Sequence, residues 1–232
     1  MNNSYQMQSG SAVYNSGVEA RAAFIIRTYL HLYGAILSFT GLEVFFFSTG
    51  IAEPIALVML NGSWLLVLGA FMVVGWLASR AAHTARSLVV QYAALAGFVL
   101  AEALIFIPLL YLAFNYAPGA ISSAAWTTLA GFSGLTAVAF ITRKDFSFLS
   151  GILMWAGACA LILIVVSLLF GFHLGTWFSV GMVAFAGAAI LYDTSNVLHH
   201  YPEDRYVGAA LELFASVALM FWYVLRLFMS RD

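Results

Sequence analysis

Charge is what this 232-residue chain has least of: 8% of its residues are Asp, Glu, Lys or Arg, against about a quarter in an ordinary soluble domain. With 63% hydrophobic residues it lacks the polar side chains to cover a water-facing surface, which excludes a water-soluble globule. Nine basic and ten acidic residues leave a net charge of -1, and no basic run is present to hold nucleic acid. The single cysteine, Cys159, excludes an internal disulfide. The single lysine, Lys144, falls between two apolar runs, so the last run has no amine for the Schiff base of a retinal protein. In place of charge the chain has long apolar stretches, and the solvent these call for is a bilayer.

In hydrocarbon every backbone polar group must be paired, so only helices or closed barrels can span. Barrel strands alternate apolar and polar over about 10 residues; these runs are continuous and longer. Reading between polar breaks predicts seven membrane helices, at Ala23–Phe47, Pro54–Ala78, Leu88–Phe114, Ala124–Ile141, Phe148–Phe170, Trp177–Ser195 and Tyr206–Phe228. The expected fold is an all-α integral membrane protein. Residues 1–20 are polar and lack the basic start and cleavage site of a signal peptide, so they are expected to be a disordered tail before one membrane domain at 21–232. Arg80, Arg86, Arg143, Lys144 and Arg205 fall in the loops after the second, fourth and sixth runs. The positive-inside rule makes those loops and the N-terminus cytoplasmic. Arg226 and Arg231 break the rule if the last run crosses. A re-entrant last helix would keep all nine basic residues inside, but its length favours a crossing.

Ionisable side chains within a span cost about 2.5–3.5 kcal/mol on insertion scales and mark function by default. Four carboxylates qualify: Glu43, Glu102, Asp193 and Glu212. Asp193 precedes His199 by six residues and Glu212 follows Tyr206 by six, which sets both about 9 Å inside the same membrane face. Two carboxylates that meet there resist ionising together, so they form a proton sensor or a cation site. Oxygen ligands of this kind suit Ca²⁺, whereas zinc or copper would want His or Cys at matched spacing within the spans. Arg80, at the same end of the second span, is placed to neutralise the pair. The plain alternative is that both acids snorkel to the headgroups. Glu102, mid-span and six residues before Pro108, reads either as a hydrogen-bonded carboxyl or as part of an ion or proton path. Glu43 reads as an interfacial acid, and His31 as a hydrogen-bonded helix contact.

Gly131-Phe132-Ser133-Gly134 matches the Gly-x-Ser-Gly stretch of intramembrane serine proteases of the rhomboid type. That chemistry needs a histidine at equal depth, and the sixth span has none before His199. A face of small residues for helix packing explains the stretch better. No nucleophile has its base and no phosphate loop is present, so no enzymatic activity is expected.

A family resemblance rests on Tyr192-Asp193-Thr194, on the run from Thr142 to Leu149, on Leu225-Arg226-Leu227-Phe228, and on Ala101-Glu102-Ala103-Leu104 with Pro108. Over nearly all of the chain after residue 20, the sequence resembles the Bax inhibitor-1 (transmembrane Bax inhibitor motif) family. The resemblance implies a seven-helix bundle with the last helix central and a cytoplasmic N-terminus. It also implies pH-sensitive Ca²⁺ leak, cell-death suppression in eukaryotes, and in bacteria association with a membrane-bound AAA protease. In ion-conducting members two aspartates on the last two helices share a proton and, with an arginine of the second helix, close the cytoplasmic end. Asp193 matches the first aspartate and Arg80 is similar to the arginine, but Ser216 stands at the second aspartate position. Glu212, one turn nearer the cytoplasm on the same face, is the carboxylate available to replace it.

The sequence thus predicts a multi-pass inner-membrane protein that leaks Ca²⁺ under control of protonation. Its expected ion pathway includes Asp193, Glu212, Arg80, Glu102 and Ser216, with a Ca²⁺ site at Asp193 and Glu212. No resident cofactor is expected, Ca²⁺ or H⁺ being transported or sensed. The alternative is a non-conducting partner that regulates a membrane-bound AAA protease.

Overall fold

Backbone groups surrounded by hydrocarbon must bond within their own segment, and the seven apolar runs resolve accordingly as helices. In a computed structural model, residues 3–85 and 87–230 are described. Their order is α1 (Asn3–Ser48), α2 (Ala52–Asn61), α3 (Trp64–Thr84), α4 (Leu88–Tyr116), α5 (Ala120–Thr142), α6 (Leu149–Phe170), α7 (Gly175–His199) and α8 (Tyr206–Met229). No strand occurs among the described residues. Seven helices are long and apolar enough to cross a membrane, and α2 is too short. The chain is a multi-pass helical membrane protein.

α1 starts at Asn3 and includes polar residues ahead of the first apolar run; no proline interrupts them. The expected bounds of the second span change. The second span begins at Trp64 rather than Pro54 and extends to Thr84. Asn61, Gly62 and Ser63 cut the apolar run: Gly62 is extended, and a Cβ there would stand 2.9 Å from the Val58 carbonyl oxygen. Arg80 therefore lies inside α3, one turn before its end, and not in the loop after it.

The last helix crosses the bundle and forms its axis. At 24 residues it is about 36 Å long, enough for a hydrocarbon core of about 30 Å. It packs against α1, α3, α4, α5 and α7. Small residues on α8 allow the close approach: Gly208, Ala209, Ala210 and Ala218 are all buried. Outward faces carry large apolar side chains, with Ile141, Trp155, Phe170 and Trp177 all more than two-thirds exposed, as lipid contact requires. The Gly-x-Ser-Gly stretch of α5 serves packing, since a Cβ on Gly131 would touch Met220 of α8.

The helices close unevenly. α6 packs on α7 and, at a few positions, on α3, leaving a gap before α4 and α8. That gap is a cavity of about 830 Å³. At the end of the bundle where α7 ends, the connections are laced by side chains to backbone groups. Arg21 of α1 donates from Nε to Leu198 O at 3.2 Å and from a terminal nitrogen to Tyr201 O at 2.5 Å. Arg205 donates to Ala85 O at 2.6 Å, and Ser195 Oγ accepts from the Phe146 backbone N–H at 2.9 Å. Arg21, Arg205, Arg143 and Lys144 gather at this end, called here the basic end.

Candidate functional site

The site forms where α7 and α8 leave the basic end and run side by side. Asp193 sits near the end of α7, one turn before the buried Val197, and Glu212 sits in the second turn of α8. Neither carboxylate bonds directly to the other; each accepts from a hydroxyl on a neighbouring helix. Ser216 Oγ donates to Asp193 Oδ2 at 2.5 Å. Ser79 Oγ of α3 donates to Glu212 Oε1 at 2.7 Å. The expected shared hydrogen bond is thus divided into two, because Glu212 is a full turn along α8 from Ser216. The serine occupying the family aspartate position is the residue that touches Asp193, and Glu212 remains within electrostatic reach of it.

The positive partner also differs from expectation. Arg80 is exposed, with its guanidinium over the Trp76 ring at 5.3 Å, and makes no ion pair with either carboxylate. His83 takes its place, with Nδ1 3.7 Å from Glu212 Oε1. The same Nδ1 lies 2.8 Å from Ser79 O. A carbonyl can only accept, so Nδ1 carries a proton. Nε2, 2.9 Å from the Tyr201 hydroxyl, then accepts from it whenever the ring is neutral. Burial, with the Glu212 and Asp193 carboxylates near, holds the Tyr201 phenol far above its ordinary range, which keeps that hydroxyl a donor. Ser79, His83 and Tyr201 were missed in the sequence. Their signal was present: Ser79 and His83 are spaced i, i+4 beside Ala78 and Ala82, the small buried residues that mark the inner face of α3.

Glu102 lies apart from these residues. It is 7% exposed on α4 and lines the wall of the cavity, which extends along α8 from Ser216 to Arg226. No hydrogen bond or ion pair joins its carboxyl to the described residues. Glu43 is not the interfacial acid expected. It is buried, and both carboxylate oxygens lack a hydrogen-bond partner among the described residues. It shares a helix face with Phe39 and Phe46, which pack inward, and the phase of α1 carries it in with them. His31 behaves as expected, accepting or donating to Tyr92 OH at 2.9 Å and bonding Arg27 O at 2.6 Å.

Three buried hydroxyl oxygens, from Tyr29 of α1, Thr136 of α5 and Thr194 of α7, gather with the Tyr29 hydroxyl facing both threonines and in electrostatic reach of Asp193. Among the described residues no three His, Cys, Asp or Glu side chains gather as a metal cage. The Asp193 and Glu212 pair supplies two carboxylates and two hydroxyls, short of the six to eight oxygens of a resident Ca²⁺ site. The arrangement suits a proton, or an ion in passage, better than a bound metal.

A family model described as the inhibitor of apoptosis-promoting Bax1 matches residues 21–232. An uncharacterized protein of Pseudomonas aeruginosa is 37% identical over 122 residues, 51% of this chain and 54% of that one. The Bax inhibitor 1 of Schizosaccharomyces pombe is 33% identical over 116 residues, 46% of this chain and 41% of that one. The modulator of FtsH protease YccA of Escherichia coli is 35% identical over 103 residues, 42% of this chain and 45% of its own. The chain thus aligns with about half the length of the curated relatives it matches.

Proposed function

The chain belongs to the Bax inhibitor-1 family, and from that premise we propose that it is an inner-membrane cation leak, passing Ca²⁺ under control of protonation. One observation carries the reading: the cavity reaches Ser216 from the Arg226 end, and Ser216 is bonded to Asp193, with Glu212 beyond it toward the basic end. Acidic and hydroxylic side chains thus continue where the open space stops. By the positive-inside rule the basic end is cytoplasmic.

In the closed state Ser216 ties α8 to α7 through Asp193, and Ser79 ties α8 to α3 through Glu212. A proton held on either carboxylate removes the repulsion between them. With both ionised, the like charges on the two neighbouring helices repel. The separation of α7 and α8 near Ser216 relieves that repulsion and joins the cavity to the basic end. Ser216 and Glu212 together do the work of the second family aspartate, one holding the bond and the other the charge. Arg80 has no part in the closure; His83 supplies the neighbouring positive charge when protonated.

The test is Ca²⁺ flux from liposomes containing the purified chain, measured across pH. Asp193→Asn is expected to remove the pH dependence, while flux unchanged at every pH would overturn the gating role. A second reading is favoured by the Escherichia coli relative named as a modulator of FtsH protease: a non-conducting protein that regulates a membrane-bound AAA protease. Absence of flux, together with protease co-purification that disappears when residues 1–19 are deleted, decides for it.

A further inference from the structure

Glu102 poses a problem that gating of Ca²⁺ does not answer. An isolated carboxyl facing a membrane-embedded cavity is costly, and this one is 7% exposed with no hydrogen-bond or charged partner among the described residues. Ser216, the nearby polar group on the same cavity, is already committed to Asp193. Most of the remaining wall is apolar and rich in rings, including Trp64, Phe71, Phe98, Phe106 and Trp222, with Ser167, His173 and Arg226 its other polar members.

We propose that this cavity is a binding site for a lipophilic organic cation, a quaternary phosphonium or ammonium or a protonated amine with apolar substituents. Three features set that class. The volume, about 830 Å³, lies in the range of sites for drug-sized molecules, roughly 300–1,000 Å³. The carboxyl supplies the counter-charge, and the aromatic faces attract a delocalised cation that sheds water at little cost. An inorganic divalent ion would demand a cage of oxygens, and no cluster of three such side chains occurs among the described residues.

The positive charge at the cavity's other end does not oppose this. Phe98 pairs with Phe214, and Phe106 with Phe221 and Trp222, so Glu102 stands level with Ala218. Arg226 is eight residues further along α8, about 12 Å away along the axis, with its guanidinium over Tyr223. Arg226 marks the rim and Glu102 the seat. The gap between α6 and the α4 and α8 pair lets such a molecule arrive from the lipid, where its apolar substituents concentrate it.

The experiment is equilibrium dialysis of the purified full chain in detergent with tetraphenylphosphonium, using tetraphenylborate as the probe of the same shape and opposite charge. Saturable 1:1 binding of the cation is expected, with no competition from tetraphenylborate. Glu102→Gln, confirmed folded by its elution volume and thermal midpoint, should weaken binding roughly thirtyfold or more, as loss of one partner of a buried charge pair does. Glu102→Asp should stay within several-fold of the parent. Leu161→Trp, which fills the cavity from α6 without changing charge, should also weaken binding. No saturable binding by the parent chain, equal competition by tetraphenylborate, or parent-like binding by Glu102→Gln or Leu161→Trp would each overturn the proposal. The readout involves no ion flux, so its failure is separable from failure of the Ca²⁺ reading.

Discussion

Ser216 carries the tightest side-chain contact of the site, and two substitutions there separate its roles. Ser216→Ala removes the donor to Asp193 and should cost about 1 kcal/mol, as interhelical hydrogen bonds in membranes do, measured by unfolding in detergent. Ser216→Asp adds a second carboxylate beside Asp193 and should steepen the pH dependence of flux, while leaving it unaltered would argue that the hydroxyl already does all that the position requires. At the basic end, Asp145 accepts from the Ser147 backbone N–H at 2.8 Å and bonds His200 Nε2 at 3.0 Å. Chiefly the Ser147 N–H, and then His200, hold its carboxyl down at about 2. A depressed carboxylate stabilises the folded loop fully above its unfolded value of about 4 and loses that contribution as pH falls through about 2. Amide exchange at Ser147 should therefore stay slow down to about pH 3 and accelerate below it, whereas Asp145→Ala, which has no acceptor for that N–H, should exchange fast at every pH. Residue by residue, the acids were legible because charge in an apolar run stands out. The choice of His83 over Arg80 was not. At 100° per residue Arg80 is turned away from Ser79, and a charge count carries no phase.

At the scale of helices, packing decides which glycines are needed. Ala at a helix interior gains about 0.5–1 kcal/mol over Gly, yet at Gly208 the new Cβ would lie 3.2 Å from the Ala82 carbonyl oxygen. Backbone cannot step aside, and overpacking costs about 1–3 kcal/mol, so Gly208→Ala should destabilise and disturb the adjoining His83. At Gly131 the Cβ meets the flexible end of Met220 at 3.3 Å, which can turn away. Gly131→Ala should be neutral or stabilising. Equal thermal midpoints for the two variants would refute this contrast. The helices themselves were legible from hydropathy because a bilayer fixes both length and polarity. The division of the second run into α2 and α3 was hidden. Asn61-Gly62-Ser63 sits in a stretch apolar enough to read through, and what ends α2 there is a backbone turn rather than a polar segment.

Across the molecule, the central position of α8 came from family resemblance and not from composition. Its apolar content does not set it apart from the other spans, although its small residues at Gly208, Ala209 and Ala210 are the physical reason that five helices can close on it. The polar sites follow from that placement. Ser216 reaches Asp193, and Ser79 of α3 reaches Glu212, only because α8 stands between α7 and α3. This geometry has a consequence for biosynthesis. A ribosome releases the helices in sequence order, so α1 to α7 enter the membrane before the helix around which they pack exists. Ser79, His83 and Asp193 pass that interval without their partners, and Arg21 waits for the carbonyls of Leu198 and Tyr201, which lie 177 and 180 positions downstream. The bundle is therefore assembled as an open ring that its last member closes, and the acidic site comes into being only at that moment.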